Sequence, residues 1–484
     1  MPVASEPRAA RGLTGGPTPL TNLSSRDGNA KLAEQVASRI VDDVVARGWP
    51  VGEVIGASPE FLERYGVSRA VFREAVRLLE HQQVARTRRG PGGGLVVAAP
   101  SVDAIIDAAV LYLYRVDARL DEVFDARMVL EGIVAELAPE RIDDDGRRRV
   151  RELVAAEKAG TVTDPQALHA LLASLTGNPA LALFVEILNR VSALYLRDPA
   201  VDPAISTRTK QAHARIAQAV LAGNPEQASE RMHRHLEEEL ESLGRRRATR
   251  QTLPSGIALG APEGQKLAEG VAREVFLGVT AGRLQPGVLL GSEPELMERY
   301  GVSRAVFREA VRLLEHHQIA TMRRGPGGGL FVGAPSPAAV SDVVALYLAS
   351  RGTGIAALAE LRVRVEVELV DLAIDRLDAP GAAALDVAVE LDEGDAQVGV
   401  TIHNLHAAIA SLADNRVLEL VALVLIRLTR FHQYRRVSAR EASEIRREVT
   451  RTHTGIARAI QAGDRDLARR RVRRHLEVLA TQLR

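Results

Sequence analysis

The chain has 484 residues, 46% hydrophobic and only 3% aromatic, with 63 basic against 62 acidic residues and no cysteine. A length of this order holds roughly two to four domains, and a composition rich in Ala, Leu, Val, Arg and Glu favours helix over sheet. The absence of cysteine excludes a disulfide framework and a thiolate zinc site and fits a reducing cytoplasm, while a net charge of +1 names no partner, so charge has to be read locally.

The first residues, MPVASEPRAARGLTGGPTPLTNLSSRDG, lack the apolar run that heads a secretory signal. Residues 1–30, rich in Pro, Gly, Ser and Thr, are expected to form a disordered arm. From Lys31 a helical pattern begins, with Leu32, Val36, Ile40 and Val44 on one face, and Gly48 and Pro50 end it. Ser58-Pro59 reads as an N-cap followed by proline at the first helical position, opening a short helix that stops near Tyr65-Gly66. Ser68 caps the next helix, which runs to about Gln82 with Val71, Ala75, Leu78 and Leu79 inward and Arg69, Arg73 and Arg77 on another face. Alternating residues 84–89, the turn Gly90-Pro91-Gly92-Gly93-Gly94 and Leu95-Val96-Val97 read as a hairpin. Three helices and a hairpin make a winged helix-turn-helix over 31–99.

The block then returns. The nineteen residues ERYGVSRAVFREAVRLLEH occur at 63–81 and again at 298–316, followed both times by RRGPGGGL. A second winged helix-turn-helix is therefore expected over 265–334. Each block precedes a long helical stretch, 103–244 and 338–484, broken at places such as Asp198-Pro199, Gly223-Asn224 and Gly463-Asp464. Residues 245–264 read as a linker. The fold class expected is mainly α, two winged helix-turn-helix domains each followed by an all-helical domain. The most apolar window, Val417 to Leu428, holds Glu419 and Arg427 and is too short to cross a bilayer, so no membrane partner is expected.

Between Arg64 and Arg89 stand seven arginines against two acids, a basic footprint in a near-neutral chain. An exposed arginine row at the start of a helix suits the DNA major groove, where guanidinium groups bond guanine edges or phosphates in pairs. The glycine-rich wing, Gly92 and its counterpart Gly327 included, lets backbone approach closely, so that Arg88 and Arg89, or Arg323 and Arg324, reach phosphates or the minor groove. A P-loop is the competing reading of GPGGG, and its Gly-Lys-Ser/Thr ending is absent.

These motifs resemble the DNA-binding domain of the GntR superfamily, FadR subfamily, and the helical stretches resemble that subfamily's FCD effector-binding domain. The resemblance implies that Ser68, Arg69 and Arg73, and their counterparts Ser303, Arg304 and Arg308, contact bases and phosphates. Pro59 and Pro294 stand where the family often has an arginine. His169, His213 and His235 recur as His406, His453 and His475, with equal intervals from His213 to His235 and from His453 to His475, and each first histidine lies nine residues before Asn178 or Asn415. In the FCD family these positions are metal ligands, so the resemblance implies a divalent ion such as zinc that takes a carboxylate effector. The family's fourth ligand, an aspartate, is replaced by Pro165 and Ile402, with Asp164 and Asn404 nearby.

Arg127 with Glu131, and Arg362 with Glu366, stand at i, i+4. They read either as ordinary intrahelical ion pairs or as arginines facing an effector carboxylate. His233 and His403 have no counterparts and are expected at the surface, and Glu237-Glu238-Glu239 as a solvated face. The function expected is sequence-specific regulation of transcription, by default repression, with two winged helices of one chain reading a near-palindromic operator as a pseudo-dimer and further homodimerisation open. The effector expected is an organic acid or acyl-CoA-type metabolite. Alternatives are a non-specific architectural DNA binder, which the near-neutral charge disfavours, and a metal-dependent enzyme, against which no carboxylate stands at a recognisable spacing from the histidines.

Overall fold

The computed structural model describes residues 26–482 apart from 91, 163, 197–202, 246–265, 395–403 and 433–438. By packing the chain falls into two compact units, Met1–Ala99 and Pro100–Arg484. The expected linker and the break at Asp198-Pro199 lie outside the described residues, except that Arg245 closes a helix.

The first unit runs α1 (Arg26–Ala46), β1 (Val54–Gly56), α2 (Ser58–Tyr65), α3 (Arg69–His81), β2 (Ala85–Arg88) and β3 (Gly94–Val97). Helix α1 starts at Arg26 rather than Lys31, so 26–30 are helical, and the rest of the expected arm lies outside the described residues. Its apolar face, Leu32, Val36, Ile40 and Val44, is buried. Trp49, in the left-handed region at φ 55°, donates from Nε1 to Ala98 O at 2.9 Å and ties the end of this helix to the end of β3. Helix α2 is capped by Ala57, one residue earlier than expected, because the Glu60 carboxylate accepts the Ala57 N–H at 3.2 Å and leaves Ser58 and Pro59 as the first helical positions. Ser68 caps α3 by accepting from Val71 N at 3.3 Å. Val71, Ala75 and Leu79 are buried as expected, Phe72 joins them against Phe61 (ring centroids 5.3 Å apart), and Leu78 is half-buried.

The expected hairpin is the larger part of a three-stranded antiparallel sheet, order β1-β3-β2, with Ala85 opposite Val97 and Arg88 opposite Gly94. The added strand β1 passes so close to the wing that a Cβ on Gly94 would stand 2.4 Å from Gly56 O.

The second unit opens with a helical array, α4 (Val102–Arg115), α5 (Leu120–Arg141), α6 (Asp144–Ala159), α7 (Ala167–Leu175), α8 (Pro179–Leu196), α9 (Pro203–Leu221) and α10 (Pro225–Arg245). A second winged helix follows: α11 (Lys266–Ala281), β4 (Leu289–Gly291), α12 (Glu293–Tyr300), α13 (Arg304–His316), β5 (Ala320–Arg323) and β6 (Gly329–Val332). A second array completes the unit: α14 (Pro337–Ser350), α15 (Ile355–Asp375), α16 (Ala379–Gly394), α17 (Asn404–Leu412), α18 (Arg416–His432), α19 (Ala439–Gln461) and α20 (Arg465–Gln482). The chain is mainly helical, and no helix among the described residues is long and apolar enough to cross a membrane.

In each array the central helix is buried nearly all round, as Phe124, Arg127, Leu130 and Val134 of α5 and Leu361, Arg362, Val365 and Leu369 of α15 show. One apolar cluster runs through both arrays. Between them the polar contacts are reciprocal. Asn178 Nδ2 donates to Ala357 O at 2.9 Å and to Glu360 at 3.2 Å, and Asn415 Nδ2 donates to Glu122 O and to Asp125, both at 3.3 Å. Helix α4 also reaches the second winged helix: Leu111 lies in its core, Tyr114 packs on Phe276, and Arg115 donates to Gln318 O at 2.5 Å and Gly333 O at 2.6 Å.

Candidate functional site: DNA-reading helices and histidine centres

Each α3-type helix is held from behind by its apolar face and from its start by a serine cap, so its arginines point outward. In the first unit Arg69 and Arg73 are exposed with no ion-pair partner among the described residues, whereas Arg77 pairs with Glu74 (2.9 Å) and Arg64 with Asp43 (3.3 Å). Arg88 Nη2 donates to Gly92 O at 2.8 Å across the wing turn, and Arg89 is exposed. Gly92 and Gly327 take φ of 70° and 73°, a region that suits glycine. Ser68 and Ser303 spend their oxygens on helix caps, which leaves each hydroxyl hydrogen to donate elsewhere.

The second winged helix repeats this geometry with one change of charge. Glu293 stands where the first copy has Ser58, and its carboxylate lies 2.9 Å from Arg304 Nε and 3.7 Å from Arg308 Nε. Arg323 lies over the Phe331 ring at 4.4 Å, and Arg324 is exposed.

In the first array α7, α9 and α10 bring His169, His213 and His235 together, all buried. His169 Nε2 lies 3.3 Å from His213 Nε2 and from His235 Nε2. In the second array His475 Nε2 lies 3.3 Å from both His406 Nε2 and His453 Nε2. Carboxylates hold the outer nitrogens. Glu131 accepts from His169 Nδ1 and Glu157 from His213 Nδ1 (3.0 Å); Glu366 accepts from His406 Nδ1 and Asp392 from His453 Nδ1 (2.8 Å).

A carboxylate acceptor fixes the hydrogen on Nδ1 and leaves the Nε2 lone pair facing inward. Burial, then neighbouring imidazoles, hold His235 and His475 well below the usual histidine range, and burial lowers His213 and His453 against the pull of Glu157 and Asp392. Burial would raise the Glu131 and Glu366 carboxyls, but Arg127 and Arg362, then His169 and His406, hold them well below the usual carboxylate range. Inward lone pairs of neutral imidazoles repel one another unless a cation lies between them. Metal–nitrogen bonds of about 2.0–2.1 Å at tetrahedral angles place ligand nitrogens about 3.3–3.4 Å apart, matching the separations of 3.3 Å here. Both histidine sets therefore fit a divalent metal ion.

The four carboxylates behind the histidines were not recognisable from spacing: Glu131 is 38 residues from His169, and Glu157 is 56 from His213. The nearby aspartate does not join the centre, because Asp164 is exposed and its carboxylate accepts from Gln166 N at 2.9 Å. Asn404 instead donates to Asp392, from its backbone N at 2.9 Å and from Nδ2 at 3.0 Å.

Arg127 and Arg362 do form the i, i+4 pairs, with Nε donating to Glu131 at 2.5 Å and to Glu366 at 2.6 Å, but both are buried inside their arrays rather than on a solvated face. Two surface expectations are corrected. Glu239 turns inward to Arg127 at 3.1 Å, unlike the exposed Glu237 and Glu238. His233 is half-buried because its ring lies over Gly132, where a Cβ would meet it at 2.9 Å. His403 lies outside the described residues.

The FCD domain matches this chain twice, at residues 122–238 and 357–478, and the description "Bacterial regulatory proteins, gntR family" matches residues 267–332. The HTH-type transcriptional regulator RmpR of Mycobacterium gastri is 26% identical over 270 residues, which are 52% of this chain and 96% of RmpR. The HTH-type transcriptional regulator YcbG of Bacillus subtilis (strain 168) is 25% identical over 215 residues, 42% of this chain and 87% of YcbG. A solved Streptococcus agalactiae GntR is 25% identical, with a TM-score of 0.32, and the match covers 43% of this chain and 99% of that one. These families and relatives are transcriptional regulators, not enzymes. The chain belongs to the gntR family of bacterial transcriptional regulators that join a DNA-binding helix-turn-helix to an FCD effector-binding domain, and it carries the FCD domain twice.

Proposed function

We propose that the chain is a repressor whose two winged helices read the two halves of a near-palindromic operator, as a pseudo-dimer within one polypeptide. The observation that carries this reading is the repetition of one capped, outward-facing arginine helix in front of two arrays whose asparagine contacts are reciprocal. Arg69 and Arg73, with Arg304 and Arg308, reach base edges and phosphates, Ser68 and Ser303 donate to phosphate, and Arg89 and Arg324 follow the backbone from the wing tips. Arg88 and Arg323 stiffen the wings, and Gly92 and Gly327 let them approach. Further pairing of two chains would display four such helices.

His169, His213 and His235, and His406, His453 and His475, hold zinc or a similar divalent ion, which when bound supplies a Lewis-acid position for a carboxylate effector. The residues of the chain orient it: the carboxylates behind the rings fix their tautomers, and the arginines of the central helices fix those carboxylates. An effector changes DNA affinity only by its differential affinity for two arrangements of the array.

Selection of binding sites from a random DNA pool tests the reading. An inverted repeat is expected, and Arg73→Ala combined with Arg308→Ala should weaken binding to it by about 1–3 kcal/mol per half-site. Binding with a steep salt dependence but no selected sequence would favour a non-specific architectural role.

A further inference from the structure

Where the two arrays meet, α5 and α15 leave an open groove of about 790 Å³. Its floor is apolar, with Met128 and Ile133 from α5 and Val363 and Val367 from α15. Helix α10 adds His233, and α20 adds the exposed Arg473 and Glu477, one turn apart. His233 and Arg473 each stand two residues before a buried histidine, His235 or His475, so the groove lies outside both histidine centres.

Two half-buried carboxylates line this groove, Asp125 from α5 and Glu368 from α15, and neither has an ion-pair partner among the described residues. Asp125 accepts only the Asn415 amide, at 3.3 Å. The arginines that pull on the two are spent elsewhere: Arg376 donates to Ala413 O, and Arg465 and Arg469 hold Asp371. Burial, then Asp121, pushes the Asp125 carboxyl above the usual carboxylate range. Burial, then Asp371, does the same to Glu368, and Asp125 adds to that push. The other charges that line the groove are settled. Glu136 and Arg364 pair across the seam at 2.5 Å, and Arg473 is exposed to water, where its charge is screened. His233 Nδ1 donates to Ser229 O at 2.8 Å, which leaves Nε2 as one more acceptor. The groove thus joins an apolar floor to acceptors and negative charge that no cation of the chain neutralises, an arrangement that costs free energy until a cation arrives.

We propose that the groove between the arrays is a ligand site separate from the histidine centres, and that it takes an organic ammonium ion with a linear apolar body. The ammonium lies between Asp125 and Glu368 as their missing counter-ion, and the carbon chain rests on Met128, Val363 and Val367. The volume falls in the range of about 300–1,000 Å³ typical of small-molecule sites. A bare inorganic cation would leave the apolar floor unused. Because the lining comes from both arrays, a bound ligand ties one array to the other.

Calorimetric titration of the full chain with hexylammonium, in the absence of DNA, tests the assignment, with hexanoate and hexanol as controls of opposite and zero charge. Wild type should bind one hexylammonium per chain and neither control. Asp125→Asn combined with Glu368→Gln should weaken that binding at least tenfold, and added salt should weaken it in wild type but not further in the double variant. Thermal unfolding should rise with hexylammonium in wild type only. Val129→Trp, which fills the groove and leaves both carboxylates in place, should also abolish binding. No binding to wild type, equal binding of hexanoate or hexanol, or undiminished binding to the double variant would each overturn the proposal. Should the double variant fail to fold, Val129→Trp and the two controls decide. The site needs neither metal nor operator, so its failure is distinct from failure of the proposed function.

Discussion

Glu293 is the residue that separates the two exposed arginine helices electrically. The nineteen-residue repeat makes the helices identical in sequence, yet the carboxylate that pairs with Arg304 and Arg308 comes from the helix before, five residues upstream of the repeat, where the first copy has Ser58. To contact phosphate or guanine, Arg304 must leave this partner, whereas Arg69 has no ion-pair partner to leave among the described residues. Exposed ion pairs of this kind are worth about 0–1 kcal/mol each. Glu293→Ser should therefore tighten binding to the second half-site by roughly threefold to tenfold at low salt, and Ser58→Glu should weaken the first by a similar factor. Fluorescence anisotropy on DNA carrying one intact half-site would measure both. Equal affinities before and after would place the arginines away from the DNA. The same limit governs what the sequence disclosed of the histidine centres. Repetition and interval marked all six histidines, but Glu157 and Asp392 come to them across 56 and 61 residues of chain, and no local spacing carries that information.

At the scale of elements, α4 carries the clearest mechanical consequence. It follows the first winged helix in the chain, but its last turn packs on the second, and Arg115 there forks onto Gln318 O and Gly333 O. Burial without a carboxylate partner pushes the Arg115 guanidinium down to about 10, so it stays charged at neutral pH. Both carbonyls belong to the ends of the hairpin, at Gln318 with φ 53° and at Gly333, where a Cβ would stand 2.4 Å from Gln318 O. Arg115→Ala strands two carbonyls and is expected to cost about 2–4 kcal/mol. Hydrogen exchange should show lost protection in α13 while α3 is unchanged. Arg115→Lys should recover only part of it, since an ammonium is a single point of charge rather than a fork. Equal loss in α3 and α13 would mean general destabilisation instead. The position 235 residues on is Ser350, so no such fork is available in the second copy. Helices of this length were legible because Leu32, Val36, Ile40 and Val44 repeat at helical spacing. Strand β1 was not, because Val54–Gly56 is three residues long and owes its existence to its pairing with β3.

Across the whole second unit, the reciprocal asparagines decide whether the two arrays behave as one body. Each does two jobs. Asn178 Oδ1 caps α8 by accepting from Ala180 N and Leu181 N, and its Nδ2 crosses to α15; Asn415 Oδ1 caps α18 through Val417 N and Leu418 N, and its Nδ2 crosses to α5. The nine-residue interval from histidine to asparagine is thus the distance from the helix that carries the first histidine to the next helix start, and it joins each histidine centre to the opposite array. Asparagine to aspartate keeps the capping oxygen and removes only the crossing donor, leaving a second carboxylate beside Glu360 or Asp125 in a partly buried seam. Asn178→Asp and Asn415→Asp should each cost on the order of 2–3 kcal/mol in denaturant unfolding. Because the contacts are equivalent, the two costs should agree within about 0.5 kcal/mol. Each variant should also weaken binding to a full operator more than to a single half-site, since only the full site needs both readers held together. Loss of stability with an unchanged ratio of full-site to half-site affinity would confine the asparagines to folding. No loss of stability would mean that the arrays are held by their shared apolar cluster alone.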